Sequence, residues 1–442
     1  MRGQEQRNKR TLGANSTRRG KRHLYLGGII ILHIVLGSLY WYYTPFGASP
    51  DEKAHGAYIH SIVAERRLPV FSAADRENYE AHQPPLYYLL GVLFYQTAKS
   101  FGSENPIEAV RLLSLILGAL SILVTYRVVK MLFPEDEGLS IACAGFVAFL
   151  PMHLTLSVSV SNDMLTELLF GVGLLLMTRI LTAGSTSRNM FLLGCVLGLG
   201  LLTKTTCVIL FPLAVLTYIF AWRLEKDSHI MWQLAGIFGV SLIIGGWWLL
   251  RNKLLYGDFF GVSEFAKAFE QTARPQYWLH ERGLSLGNYV LLVCGWTFAS
   301  FWGVFGHMRV FMATWIYFLL GLATLASGIA LAPAISYCIK GREEVRTSQV
   351  IKYSLMLYGA TLVLVLVAFI TFNFKYFQAQ GRYLYPALIP ISLFWVLGIR
   401  QVFPSGVRKF APGFVIICML SLAFYALVGY VAPLLTEIYG VL

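Results

Sequence analysis

Apolar runs long enough to cross about 30 Å of hydrocarbon recur along almost the whole chain, separated by short polar turns. They predict eleven spanning helices: Leu24–Tyr43, Ala109–Phe133, Leu139–Val160, Asp163–Leu181, Asn189–Leu202, Thr206–Trp222, Ile230–Leu250, Val310–Leu331, Lys352–Asn373, Leu384–Val402 and Phe410–Leu434. The stretch Pro85–Ser100 is apolar but short, and Tyr87, Tyr88 and Tyr95 give it interfacial character. Placing it flat on the surface keeps Arg127, Lys130, Arg188, Arg223 and Lys226 on one side, together with Lys340, Arg342, Arg346, Lys352, Arg400, Arg408 and Lys409. The expected fold is therefore an all-α polytopic bundle. A basic cytoplasmic tail (1–23) precedes one membrane domain (24–434), and a short external tail (435–442) follows. Two external segments interrupt the domain, at 44–108 with interfacial helices and at 251–309. The second includes the Trp- and Phe-rich stretch Cys294–Gly306, expected to be re-entrant or interfacial.

Composition supports this reading. Of 442 residues 56% are hydrophobic and 13% charged, against about 25% charged in soluble domains. The net charge of +13 is concentrated where topology needs it, because 8 of the 36 Lys and Arg lie in the first 22 residues. Such a cluster stays in the cytoplasm and is drawn to anionic lipid heads. No folded basic module follows it, which argues against nucleic-acid binding. Small residues at Gly47, Ala48 and Ser49 resemble a cleavage site, but the preceding run exceeds a signal-peptide core. The six cysteines (Cys143, Cys195, Cys207, Cys294, Cys338, Cys418) sit in or beside apolar runs without paired spacing, so they read as small apolar residues.

Candidate chemistry gathers on the external face. If a helix starts near Asp51, then Asp51 and His55 share one face while Glu52 points elsewhere. A carboxylate pair emerging directly from a spanning helix is costly without a task. Glu65, Asp75, Glu77 and Glu80 read instead as water-facing acids. His82, Gln83, Pro84 and Pro85 form a rigid turn. Asp163, after Ser161 and Asn162, is either an ordinary N-terminal helix acid or a second site acid. Lys204 lies where two short apolar runs meet, and Arg111, Arg382 and Tyr383 open spans in the same leaflet. Cations clustered against the positive-inside bias suit an anionic phosphate.

These elements resemble the GT-C membrane glycosyltransferases, specifically the protein O-mannosyltransferase and aminoarabinose transferase branch with its bacterial relatives. Asp51 and Glu52 match the acidic pair of that family's catalytic loop. His82–Pro85 resembles its His-x-Pro-Pro element, with Gln83 as a departure. Arg111, Asp163, Lys204 and the Arg382–Tyr383 pair match further family positions. The resemblance implies transfer of a sugar from a polyprenyl-phosphate carrier to a glycan, lipid or protein acceptor at the extracytoplasmic face of the plasma membrane, with inversion. Asp51 would be the base, with Glu52 as substitute or acceptor contact. His55 and His82 would orient the acid or the acceptor, Asp163 would hold the sugar, and Lys204, Arg111 and Arg382, near Gln83 and Tyr383, would hold phosphate. Phosphate neutralised by Lys and Arg requires no metal, although Asp51, His55 and His82 form a conceivable ligand set. The alternative is a transporter or flippase that performs no chemistry. It should place ionisable groups near the middle of spans, whereas here the acids concentrate in external loops.

Overall fold

A computed structural model describes residues 24–75, 77–226, 229–270, 272–340 and 344–439, so the basic tail lies outside the described residues. In chain order the helices are α1 (Leu24–Tyr43), α2 (Glu52–Glu65), α3 (Leu86–Ser100), α4 (Val110–Leu132), α5 (Glu137–Ala148), α6 (Pro151–Ser157), α7 (Asp163–Ala183) and α8 (Ser187–Leu201). They continue with α9 (Leu210–Glu225), α10 (Ile230–Tyr256), α11 (Val262–Ala268), α12 (Leu286–Trp302), α13 (Thr314–Lys340), α14 (Val345–Lys375), α15 (Leu388–Val402) and α16 (Ala411–Ala426). Among the described residues nine helical stretches are long and apolar enough to cross a membrane, or ten if one bent pair is a single span. By length and composition the protein is thus a multi-pass integral membrane protein.

The differences from the sequence expectation have local causes. Over Leu139–Val160 the chain forms two helices, α5 and α6, bent by 63°. Pro151 opens α6, and Leu150 before it is extended at φ −69°, ψ 117°, because proline removes an N–H and pushes its predecessor out of the helical region. The run Asn189–Leu202 becomes the fifteen-residue α8, too short to count with the spans. The expected start at Val310 shifts to Thr314, since Val310–Phe311 instead pairs antiparallel with Val304–Phe305. Leu86–Ser100 forms α3, which is not among the long apolar stretches.

Short helix α8 is held by backbone proximity. A Cβ at Gly194 would stand 2.9 Å from the Ile237 carbonyl oxygen, and one at Gly198 2.9 Å from that of Ser241. This small-xxx-small face lets α10 approach as closely as two helices can in lipid. Large apolar side chains such as Ile243, Leu254, Phe318, Ile329 and Phe374 are exposed on the flanks, as a lipid-facing belt requires.

Charged groups collect at the two ends of the bundle. One end carries Asp136–Arg400, Lys130–Glu137 at 2.7 Å and Arg346–Glu225 at 3.2 Å. The other gathers the last residues of α1, the starts of α4 and α7, the end of α8 and the 3-10 turn Gly381–Ala387 before α15. That turn lies against α12: Gly381 N–H donates to Ser300 Oγ at 2.7 Å, and a Cβ at Gly381 would stand 2.3 Å from the Phe301 backbone nitrogen. Gly381→Ala should therefore force the turn off α12. Overpacking of this kind costs about 1–3 kcal/mol and should appear as a lower thermal midpoint in detergent; an unchanged midpoint would mean that the two segments separate freely.

Candidate active site

Two consecutive acids leave α1 in opposite directions. Glu52, the first residue of α2, is fully buried. Its carboxylate accepts from Arg111 Nε and NH2, each at 2.8 Å, from Gly47 N–H at 2.8 Å and from Val160 N–H at 3.0 Å. Two further guanidinium hydrogens reach the carbonyls of Thr44 (2.8 Å) and Pro45 (3.2 Å). Buried charges persist when paired and hydrogen-bonded like this. Arg111 thus commits four of its five N–H donors, and Glu52 both carboxylate oxygens, to fixing the loop.

Asp51, one residue earlier, adopts φ 60°, ψ 2°, a left-handed conformation that costs an L-residue on the order of 1–2 kcal/mol. The strain turns its carboxylate away from the helix start, where it caps nothing, and into a cluster of charges. Tyr79 O–H donates to Asp51 Oδ1 at 2.7 Å, and Arg382 NH2 donates to Oδ2. Arg382 NH1 also donates to Asp163 Oδ2 at 3.2 Å, and its Nε to Gln380 Oε1 at 2.8 Å. The other Asp163 oxygen takes Lys204 Nζ at 2.5 Å. One guanidinium thus bridges two carboxylates, and a second cation closes the group. These four residues, predicted from four separate segments, meet in one place.

The second turn is pinned so that Asp163 points inward. Besides the Val160 bond, Ser161 N–H donates to Tyr87 Oη at 3.1 Å, and Tyr87 Oη lies 2.9 Å from Ser114 Oγ. Asn162 Nδ2 donates to the Thr203 carbonyl at 3.2 Å and to Gln83 Oε1 at 3.5 Å. Gln83 therefore ties the two loops together. Tyr383 lies beside the Arg382 guanidinium, 5.1 Å from it. Lys204 sits in extended backbone between α8 and the 3-10 turn Thr205–Ile209, which is why two short apolar runs meet there.

Electrostatics follow from this packing. Burial alone would push the Asp51 carboxyl up, but the Arg382 guanidinium, aided by His55 and the Tyr79 hydrogen bond, holds it at about 2. Its side chain keeps 31% of its surface accessible, leaving one edge open to a reactant. Burial and the adjacent Asp51 carboxylate push the Tyr79 phenol up, so it stays a proton donor. His55 is buried with Nδ1 2.8 Å from Tyr88 Oη and 4.0 Å from Glu80 Oε2; burial lowers its proton affinity, against the pull of Glu80, Asp51 and Asp163. His82 Nδ1 lies 2.7 Å from the Tyr79 carbonyl, and its ring packs against Phe265 and Phe71. Burial and then Lys204 hold it down to about 4, against the pull of that carbonyl. His82 shapes the turn that presents Tyr79.

Asp51, His55 and His82 turn to Arg382, to Tyr88 and to the Tyr79 carbonyl respectively. Among the described residues no group of three or more His, Cys, Asp or Glu is arranged to hold an ion. Glu80 is not water-facing like Glu65, Asp75 and Glu77; it is buried beside His55. Tyr79 and Tyr88 escaped the sequence reading of chemistry. The available signal was their position on either side of the rigid His82–Pro85 turn.

Residues 82–248, well under half of the chain, match the family described as dolichyl-phosphate-mannose-protein mannosyltransferase. Among solved structures, the oligosaccharyltransferase AglB of Archaeoglobus fulgidus, in complex with an inhibitory peptide and a dolichol-phosphate, aligns at TM-score 0.56 and 14% identity. The alignment covers 93% of this chain and 56% of that one. ArnT of Cupriavidus metallidurans, bound to undecaprenyl phosphate, aligns at TM-score 0.51 and 14% identity over 94% of this chain and 74% of that one. This is the GT-C fold. The chain spans a little over half the length of the archaeal enzyme, which also aligns in a complex with Zn and sulfate at TM-score 0.53 and 15% identity, over 91% of this chain and 53% of that one. No curated protein matches the chain by sequence.

Within this GT-C fold the neighbouring acids should separate by experiment. Arg111→Leu strands the Glu52 carboxylate in a buried site, at a penalty of about 3–5 kcal/mol. It should lower the thermal midpoint sharply, whereas Asp51→Asn, at a partly open site where asparagine tolerates the left-handed conformation and Arg382 keeps Asp163, should lower it much less. Equal midpoints for the two variants would contradict the division of labour.

Proposed function

We propose that the protein is a glycosyltransferase that moves a sugar from a polyprenyl-phosphate carrier to an acceptor on the extracytoplasmic side of the plasma membrane, with inversion. The observation that carries this reading is the bridge of Arg382 between Asp51 and Asp163, with Lys204 on the other Asp163 oxygen. Guanidinium groups offer five N–H donors and ammonium groups three. Here Arg382 uses three and Lys204 one, so both retain hydrogens for phosphate oxygens. The family matched over residues 82–248 and the carrier phosphates bound by AglB and ArnT support the same class of donor.

In this reaction the acceptor oxygen attacks the anomeric carbon as the bond from that carbon to the phosphate oxygen breaks. The electron pair leaves with polyprenyl phosphate, whose charge grows where Arg382 and Lys204 stand. The acceptor proton goes to Asp51. A carboxyl held at about 2 is a weak base. A phosphate that draws on Arg382 removes part of that hold, and burial then strengthens Asp51 as a base when the donor binds. Asp163 keeps both cations oriented, and Tyr79 fixes the Asp51 rotamer. Two carboxylates bracketing a guanidinium do not form a vacant divalent-ion site, and no step here runs through a metal.

A flippase would use the same cations without cleaving the donor. Its one structural support is the buried polar group His33, His153 and Glu167 inside the bundle, with His153 Nε2 3.1 Å from Glu167 Oε1. Release of polyprenyl phosphate from a labelled polyprenyl-phosphate sugar by the purified protein separates the two readings. Movement of the donor across a vesicle without release would overturn the transferase.

Asp51→Asn should reduce release by about 10²–10⁴-fold, the range for a positioned general base. Retention of more than about a tenth of the rate, a barrier change under 1.4 kcal/mol, would remove Asp51 from that role. Lys204→Ala should act mainly on donor KM, through loss of a charge-assisted contact of about 1.5–3 kcal/mol. A normal KM with a depressed kcat would place Lys204 away from the ground-state phosphate.

A further inference from the structure

Glu80 has no part in the reaction just described, yet it is a buried carboxyl, 7% exposed, for which no hydrogen bond occurs among the described residues. Its Oε2 lies 4.0 Å from His55 Nδ1, which already has Tyr88 Oη at 2.8 Å. Asn78, two residues earlier and 9% exposed, donates from Nδ2 to Ser61 Oγ at 3.1 Å, and its Oδ1 is unpartnered. Leaving buried polar atoms without hydrogen-bond partners is costly. Two such atoms in one turn beside an active site are what a ligand would satisfy.

We propose that Glu80, with Asn78 and His55, forms a subsite for hydroxyl groups of the transferred sugar and so decides which sugar is accepted. The inference rests on the transferase reading. The turn is tied to the reacting centre, because Tyr79, between Asn78 and Glu80, donates to Asp51 Oδ1 at 2.7 Å. Asp51 and Asp163 balance Arg382 and Lys204, and a phosphodiester adds one negative charge, which disfavours a further negative charge on Glu80. Burial and Asp51 push the Glu80 carboxyl up, against His55, Lys204 and Arg382. A protonated carboxyl both donates and accepts, as a sugar hydroxyl does.

The test uses the full chain in nanodiscs with short-chain polyprenyl-phosphate mannose, glucose and arabinose, reading both donor binding and phosphate release. The donor turned over fastest is then compared with its single-position deoxy analogues. Glu80→Ala should lower kcat/KM for the intact donor on the order of 10- to 100-fold. One deoxy analogue should be disfavoured by the wild type but not by the variant. Glu80→Gln, which keeps shape and hydrogen bonding, should recover most of the activity and supplies the same comparison if the alanine variant does not fold. Equal discrimination among all analogues by wild type and variant overturns the subsite while leaving the transferase intact. A loss confined to a 4-amino-arabinose donor overturns the hydroxyl assignment. A wild type that neither binds nor consumes any of these donors overturns both readings.

Discussion

The site depends on a buried carboxylate that takes no part in the proposed chemistry. Glu52 accepts four hydrogen bonds, from Arg111, from the turn after α1 and from the turn before α7. A buried charge tolerates neither a lost partner nor an extra rotamer, so three segments that share no sequence neighbourhood are held in one register. Asp51 is placed by this, because the residue before a fixed Glu52 has little freedom beyond the left-handed turn it adopts. Adjacent acids divide the work. The second anchors the loop, and the first is turned into the cluster at the expense of backbone strain, a combination common where geometry must be imposed.

Much of the fold was legible because membrane helices must satisfy their backbone internally and match a fixed thickness. The failures occurred where that argument weakens. Pro151 breaks an apolar stretch that hydropathy reads as continuous, since composition counts Leu150 and Phe149 as apolar whatever their dihedral angles. Run α8 is short, and it is held by glycine contacts with α10 that hydropathy cannot register.

Within the site, long-range convergence was legible for charges and hidden for neutral partners. Asp51, Asp163, Lys204 and Arg382 stood out because each carries a charge beside a span, where such groups are rare. Tyr79 and Tyr88 carry no such mark. Glu80 carried the wrong one, because an acid in a polar loop reads as solvated until the loop is seen to fold back on α2. For Arg111 the hidden feature was its partner: a cation at the start of α4 is equally available to a carboxylate, and sequence spacing cannot reveal one 59 residues away.

Charge balance within the cluster fits the proposed reaction. Two cations facing two carboxylates have little net field, so the cluster attracts neither bulk anions nor cations strongly. A monoanionic phosphodiester with a sugar attached disturbs that balance, because it competes with Asp51 and Asp163 for the same N–H donors. In the proposed reaction the leaving group gains charge and competes more strongly as the bond to the phosphate breaks, while Asp51 loses its charge on taking the acceptor proton. Both changes favour transfer of guanidinium contacts from Asp51 to the phosphate as the reaction proceeds. On the proposed mechanism, the interaction that weakens Asp51 as a base thus becomes stabilisation of the leaving group in the transition state, which is where binding energy accelerates a reaction.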